Sequence, residues 1–156
     1  MAVLDVLKAG NPVLKQVAEP VSFVNKKIRS LLVDMAETMY KTDGCGLAAP
    51  QIGVSSRIIV LDDGNGLLEL INPVIVHKEG TQIGLEGCLS VPGYYGDVVR
   101  FNKVIVHAIN KHNKKVIIRA EGFLARILQH EIDHLDGILF IEKATDLKNI
   151  VQNNAD

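Results

Sequence analysis

The stretch Gln129-His130-Glu131-Ile132-Asp133-His134-Leu135-Asp136-Gly137 places two histidines four residues apart, with a glutamate directly after the first. On a helix this H-E-x-x-H spacing turns both imidazoles to one face, within reach of a single divalent metal ion. It also sets beside the ion a carboxylate able to take a proton from water. Working outward at about 100° per residue, Phe123, Ile127, His130 and His134 form one narrow stripe, so the histidines continue an apolar face. Leu124, Leu128 and Leu135 widen that face, while Arg126, Gln129 and Asp133 fall on the other side. The pattern predicts a helix starting near Glu121 and wedged against other elements.

Upstream, Ile28, Leu31, Leu32, Met35, Ala36 and Met39 share a helical face, which predicts an N-terminal helix over 25–41 with Asn25 as N-cap and Gly44 as stop. From Arg57 the pattern changes to short β-rich runs: RIIVL, LLELI, PVIVH, VIVHAIN and KVIIR. Turns are signalled at Asp63-Gly64-Asn65-Gly66 and Asn110-Lys111-His112-Asn113. The expected class is α+β, with antiparallel β-sheets packed around a central H-E-x-x-H helix plus an N-terminal helix. Residues 1–156 read as one catalytic domain, a length that can bury a substantial core without disulfides.

A net charge of -1 gives no general attraction for nucleic acid or anionic membrane. No apolar run approaches a membrane span and no basic leader precedes the start, so a cytoplasmic location without transit or signal peptide is expected. A near-neutral surface makes monomer the default. Cys45 and Cys88 are too few for a disulfide framework.

Two histidines do not complete a catalytic metal site. The extended protease pattern H-E-x-x-H-x-x-G-x-x-H matches through Gly137 and then offers Phe140, which cannot coordinate. The other common layout takes a downstream glutamate, and the last one here is Glu142. The search moves upstream to Cys88 in Glu86-Gly87-Cys88-Leu89-Ser90, whose thiolate would suit zinc or iron(II). Taken alone, Cys88 reads equally as a small buried hydrophobe.

Three stretches together, Gly44-Cys45-Gly46-Leu47-Ala48-Ala49-Pro50-Gln51, Glu86-Gly87-Cys88-Leu89-Ser90 and Gln129-His130-Glu131-Ile132-Asp133-His134, closely resemble the three motifs of peptide deformylase. That family removes the formyl group from N-terminal formylmethionine of nascent polypeptides, releasing formate. The resemblance implies that Cys88, His130 and His134 bind one divalent metal ion, Fe(II) in cells and Zn(II) or Ni(II) in purified protein. It implies Glu131 as general acid/base for hydroxide on the metal attacking the formyl carbon, and the Gln51 side chain with the Leu89 backbone N–H as oxyanion donors. For the substrate it points to Gly44, Cys45 and Gly46 facing Gly87, in a form of strand addition. Phe123 and Ile127 are candidates for the methionine pocket, against a reading as core residues. Glu86 and Arg100 form a candidate ion pair near Cys88. Asp133 and Asp136 read as solvated helix-end charges, and His77, His107 and His112 are assigned nothing. Formylated nascent peptides, possible at the ribosome, are the implied partners.

Departures from the common pattern are informative. Val91-Pro92-Gly93-Tyr94-Tyr95 resembles the plastid-like type 1B subclass, where the enterobacterial form has arginine at the position of Tyr95. The short polar end, Gln152 to Asp156, suggests a reduced member such as one from a compact phage genome. Rival readings remain: a metal-free thiol hydrolase with Cys88 as nucleophile, a module that binds formyl-peptides without turnover, and a nucleotide-binding module. The last rests on Gly44-Cys45-Gly46-Leu47-Ala48-Ala49, which satisfies a dinucleotide fingerprint but has a predicted helix before it and a strand after it, the reverse of what that fold requires.

Overall fold

The computed structural model describes residues 2–149. The polar segment Gln152 to Asp156, on which the expectation of a reduced member rests, lies outside the described residues.

Helix α1, Lys26–Lys41, starts where Asn25 Oδ1 accepts the Ile28 N–H at 3.0 Å, satisfying one of the free donors of the first turn. It ends before Gly44: Thr42 is the cap, Asp43 takes the left-handed conformation at φ 56°, and Gly44 N–H donates to Met39 O at 3.0 Å. One face, Leu32, Met35, Ala36 and Met39, is buried.

That face packs on a five-stranded antiparallel sheet built from β1 (Gly46–Ala48), β2 (Ile58–Asp62), β3 (Leu67–Glu79), β6 (Lys103–Ile109) and β7 (Lys115–Glu121), in the order β1-β2-β3-β6-β7. Strand β2 shows why the sheet has two covered faces. Ile58 and Val60 join the α1 cluster with Met35, Met39 and Leu47, while Ile59 and Leu61 join a second cluster with Ile127, Leu128 and Leu135. A strand with both faces covered is a continuous apolar run, as RIIVL is. The runs LLELI and PVIVH prove to be one strand, β3. Asn72 between them sits at φ 52° with a register shift from Ile71 to Val74, and its side chain pairs with Val21 N–H and Val21 O, both at 2.8 Å. The break between the two runs is therefore a bulge within one strand.

Helix α2, Phe123–Leu135, carries the H-E-x-x-H motif and packs against β1, β2 and β7. Gly137 closes it at φ 75°, and a Cβ there would lie 2.7 Å from the Lys15 carbonyl carbon, so only glycine lets the N-terminal segment cross so closely. A second antiparallel sheet, β4-β5-β8, comprises β4 (Gln82–Cys88), β5 (Val91–Arg100) and β8 (Thr145–Asn149). None of its three strands is among the runs that the sequence pattern singles out. This sheet covers the side of α2 expected to face solvent: Arg126 and Gln129 are buried, and Asp133 is mostly covered beside Arg100. Among the described residues, no helix is long and apolar enough to cross a membrane.

Candidate active site

The β4–β5 hairpin turns over Leu89 and Ser90, with Cys88 paired to Val91 after a register shift at Gly87. Cys88 thus stands at the hairpin tip, aimed at the helix. Its sulphur and one nitrogen each of His130 and His134 lie within 4.8 Å of one another, and Cys88 Sγ is 3.4 Å from His134 Nε2.

His130 turns its Nδ1 to Glu86 Oε1 at 2.8 Å, which leaves Nε2 for the cluster. Arg100 bridges to the same carboxylate through Nε at 2.9 Å and Nη2 at 2.8 Å, so the expected Glu86–Arg100 pair is present. Arg100 Nη1 also donates to Asp133 Oδ2 at 2.6 Å, which makes Asp133 a member of this network and not a solvated charge. Burial acts to raise the Glu86 carboxyl, but the bonds from Arg100 and His130 outweigh it and hold it well below the usual carboxylate range.

Burial disfavours a charge on His130, yet contact with the Cys88 thiol and the Glu86 carboxylate, together with the charge of Glu131, pushes it up to about 10. His134 is driven the other way, well below its ordinary value, by burial and then by the charge of His130, and its Nδ1 is buried without a partner among the described residues. A largely covered cluster of one thiol and two imidazoles, one of them kept neutral and the other beside the Glu86 carboxylate, fits a divalent cation. Glu131 lies beside it, also buried, with Oε1 lacking a partner. Burial raises Glu131 to about 7, the charge of His130 opposing and that of Glu86 adding to the shift. A Cβ on Gly46 would lie 2.8 Å from Glu131 Cδ, so the glycine of β1 is what leaves room for the carboxylate.

These groups open into a cleft of about 500 Å³. Gly44, Cys45 and Gly46 line it on the β1 side, and Gly87 and Leu89 on the hairpin side, with the Tyr95 ring packed over Gly87. Ile127 lines it from the core at 3% exposure, whereas Phe123, at 56%, stands at its rim. The Gln51 amide is fixed at both ends: Oε1 accepts Ala48 N–H at 2.9 Å, and Nε2 donates to Ser90 Oγ at 3.1 Å and reaches Cys88 Sγ at 3.5 Å. Ser90 and Arg126 are the neighbours that sequence reasoning missed. The available signal was the placement of Arg126 one turn before His130, opposite the acid of the Glu86-Gly87-Cys88 stretch. His77 contacts Glu79 at 3.4 Å on an exposed strand, and neither it, His107 nor His112 belongs to the cluster.

The family profile described as Polypeptide deformylase matches residues 3–150. The chain belongs to the peptide deformylase family. A peptide deformylase from Halothermothrix orenii is 59% identical over 145 residues, covering 92% of this chain and 94% of that protein. The crystal structure of peptide deformylase from Thermotoga maritima superposes with a TM-score of 0.91 at 38% identity, covering 93% of this chain and 99% of that one. A class I type b peptide deformylase from Acinetobacter baumannii, bound to a compound designated K3U, gives a TM-score of 0.90 at 38% identity, covering 92% of this chain and 99% of that one. As a deformylase, the chain is a metal-dependent hydrolase that removes the formyl group from nascent polypeptides.

Proposed function

We propose that Cys88, His130 and His134 hold the divalent ion and that Glu131 is the general acid/base of deformylation. Convergence of one sulphur and two imidazole nitrogens within 4.8 Å carries the reading. When bound there, the ion supplies Lewis acidity, bringing a water molecule's pKa toward neutrality. Glu131 then accepts a proton from that water as its oxygen forms a bond to the formyl carbon. The carbonyl π electrons move onto the formyl oxygen, where Gln51 Nε2 and the Leu89 backbone N–H stabilise the developing charge. Gln51 suits this task because its amide is already immobilised by Ala48 and Ser90. When the C–N bond breaks, Glu131 returns its proton to the leaving amine, and formate and a free N-terminus result.

For the substrate, Gly44, Cys45, Gly46 and Gly87 flank the extended peptide, and Phe123 and Ile127 receive the methionine side chain, a reading supported by their place on the cleft. The resemblance of the three motifs to the family supports Fe(II) as the ion in cells, and a sulphur-and-imidazole donor set also accepts Zn(II) or Ni(II). The Tyr94-Tyr95 stretch at the cleft and the likeness to a class I type b enzyme support the type 1B assignment. Residues 1–156 acting as one catalytic domain, monomeric and cytoplasmic, with nascent chains met at the ribosome, complete the proposal; the profile match over residues 3–150 supports the single unit.

Formate release from formyl-Met-Ala-Ser, with metal content measured on the same sample, tests it. Glu131→Gln is expected to keep its metal and lose roughly 10²–10⁴ in rate; unchanged turnover removes Glu131 from the role. The 3.4 Å approach of Cys88 Sγ to His134 Nε2 is what a thiol hydrolase would also need, and full activity in a chelator-treated, metal-free sample would establish that reading instead.

A further inference from the structure

The reaction assigns no task to Arg126, although it lines the cleft and is 5% exposed. Its guanidinium passes beneath Gly84, where a Cβ would lie 3.0 Å from Nη2, so the glycine in mid-strand opens the space it occupies. Nη1 donates to a Glu86 carboxylate oxygen, to Val98 O at 3.0 Å and to Gly84 O at 3.3 Å, and Nη2 donates to Gln82 Oε1 at 3.2 Å. One side chain of α2 therefore holds both β4 and β5. Arg126 precedes His130 by one helical turn, and both grip Glu86, which stands two residues before Cys88.

Resting on the ligand assignment above, we infer that Arg126 is a positioning residue for the metal site, fixing the spacing between the Cys88 sulphur and the two histidine nitrogens. Metal–ligand distances tolerate only about 0.2 Å, whereas the ligands come from two separate elements, a hairpin tip and a helix. Arg100 joins these elements beyond His130, through Asp133 at 2.6 Å. Gln129 adds bonds to Phe101 O at 2.8 Å and Phe101 N–H at 2.9 Å, and Gln82 Nε2 reaches Gly122 O at 2.7 Å. These ties hold the end of the hairpin far from Cys88, whereas Arg126 reaches Gly84, Glu86 and Val98, nearer the tip, and so fixes its direction as well as its distance.

Cobalt(II) titration of the metal-free, full-length protein, followed by visible absorption and by chelator competition, tests the inference. Wild type, Arg126→Met and Arg126→Lys are compared, with folding checked by circular dichroism. Arg126→Met is expected to bind cobalt on the order of 10–100-fold more weakly with displaced ligand-field bands. Arg126→Lys falls between, because one ammonium group reaches Glu86 but cannot also span Val98 O and Gln82. A folded variant of either kind that binds cobalt with wild-type affinity and spectrum overturns the inference, even with a lowered melting temperature. If Arg126→Met does not fold, Arg126→Lys decides by the same criterion. Wild-type protein that takes up no cobalt refutes the ligand assignment itself, and the inference with it.

Discussion

The two sheets of this molecule are held in place by different forces. In the five-stranded sheet, every residue from Ile58 to Leu61 is buried between two apolar clusters. In the three-stranded sheet, Ile83, Leu85 and Val99 are 66%, 63% and 60% exposed, while Glu86 and Arg100 are buried. A small apolar cluster of Val91, Val98, Leu139 and Phe140 helps to seat the second sheet, and Glu86 and Arg100 are charged groups on the same inner face. Such charges are costly to bury unless fully paired, and here they are paired across the junction with α2. The body thus supplies rigidity by packing, and the smaller sheet presents Cys88, the third donor of the proposed metal site, through directional bonds. Apolar packing is non-directional and tolerates sliding, whereas a carboxylate with four donors does not.

Breaking the comparison at its charged end gives the largest expected effect. Glu86→Ala leaves Arg100, Arg126 and His130 without their shared acceptor, at a cost of about 3–5 kcal/mol. Metal affinity should fall by about 10–100-fold as well. Amide hydrogen exchange is the check: protection is lost in β4 and β5 while β2 keeps its rate, and equal loss everywhere would erase the distinction between the sheets. At the apolar end, Leu61→Ala opens a cavity in the α2 cluster and costs about 2–5 kcal/mol. Urea unfolding of metal-free and metal-loaded protein should show the same loss in both, because Leu61 is not part of the Cys88, His130 and His134 cluster; a loss that metal alone rescues would contradict this.

The same division decided what could be read from the sequence. RIIVL, VIVHAIN and KVIIR announce the body because its apolar residues point inward. In β4 the order is inverted: Ile83 and Leu85 face outward, Glu86 inward, and Gly84 and Gly87 stand where side chains would mark a strand. No hydrophobic period survives, so the strands of the second sheet were not singled out, although sheets packed around the helix were expected. One error propagated. With no strand assigned over that side of α2, the helical wheel set Arg126, Gln129 and Asp133 opposite the buried face, although the phase of His130, His134 and Ile127 was right. Cys88 was reachable only through its motif, since a hairpin tip has no periodicity to read.

Proton linkage sharpens the contrast between the two carboxyls of the site. In metal-free protein, Glu131 is raised from 4.5 to about 7, so the native state binds its proton more tightly than the unfolded chain does. Its contribution is fully present below pH 4.5 and is lost as pH rises toward 7. Glu86, lowered, contributes stability above 4.5 that is lost as pH falls toward its folded value. His130, raised from 6.5 to about 10, adds its own decline only above pH 6.5. His134, driven well below 6.5, makes stability rise with pH up to 6.5 and so opposes Glu131 between pH 4.5 and 6.5. Glu131→Gln should therefore make the urea midpoint rise more steeply with pH between 4.5 and 6.5 than in wild type, and leave the loss below 4.5 intact. An unchanged slope in that interval would show that Glu131 does not titrate there.

The smallest effect belongs to the outer face of the second sheet. Ile83 is a large apolar residue near the start of β4, and a pattern-based reading would give it a core role. At 66% exposure, with Val99 opposite it equally open, it buries little on folding. Ile83→Thr keeps the β-branched shape that suits a strand and removes apolar surface that already faces water. The expected change in metal-free protein lies within about 0.5 kcal/mol, with cobalt affinity unmoved. A loss as large as that of Leu61→Ala would mean that this face packs against something in solution, and that the second sheet is held by apolar contact as well as by the network around Glu86.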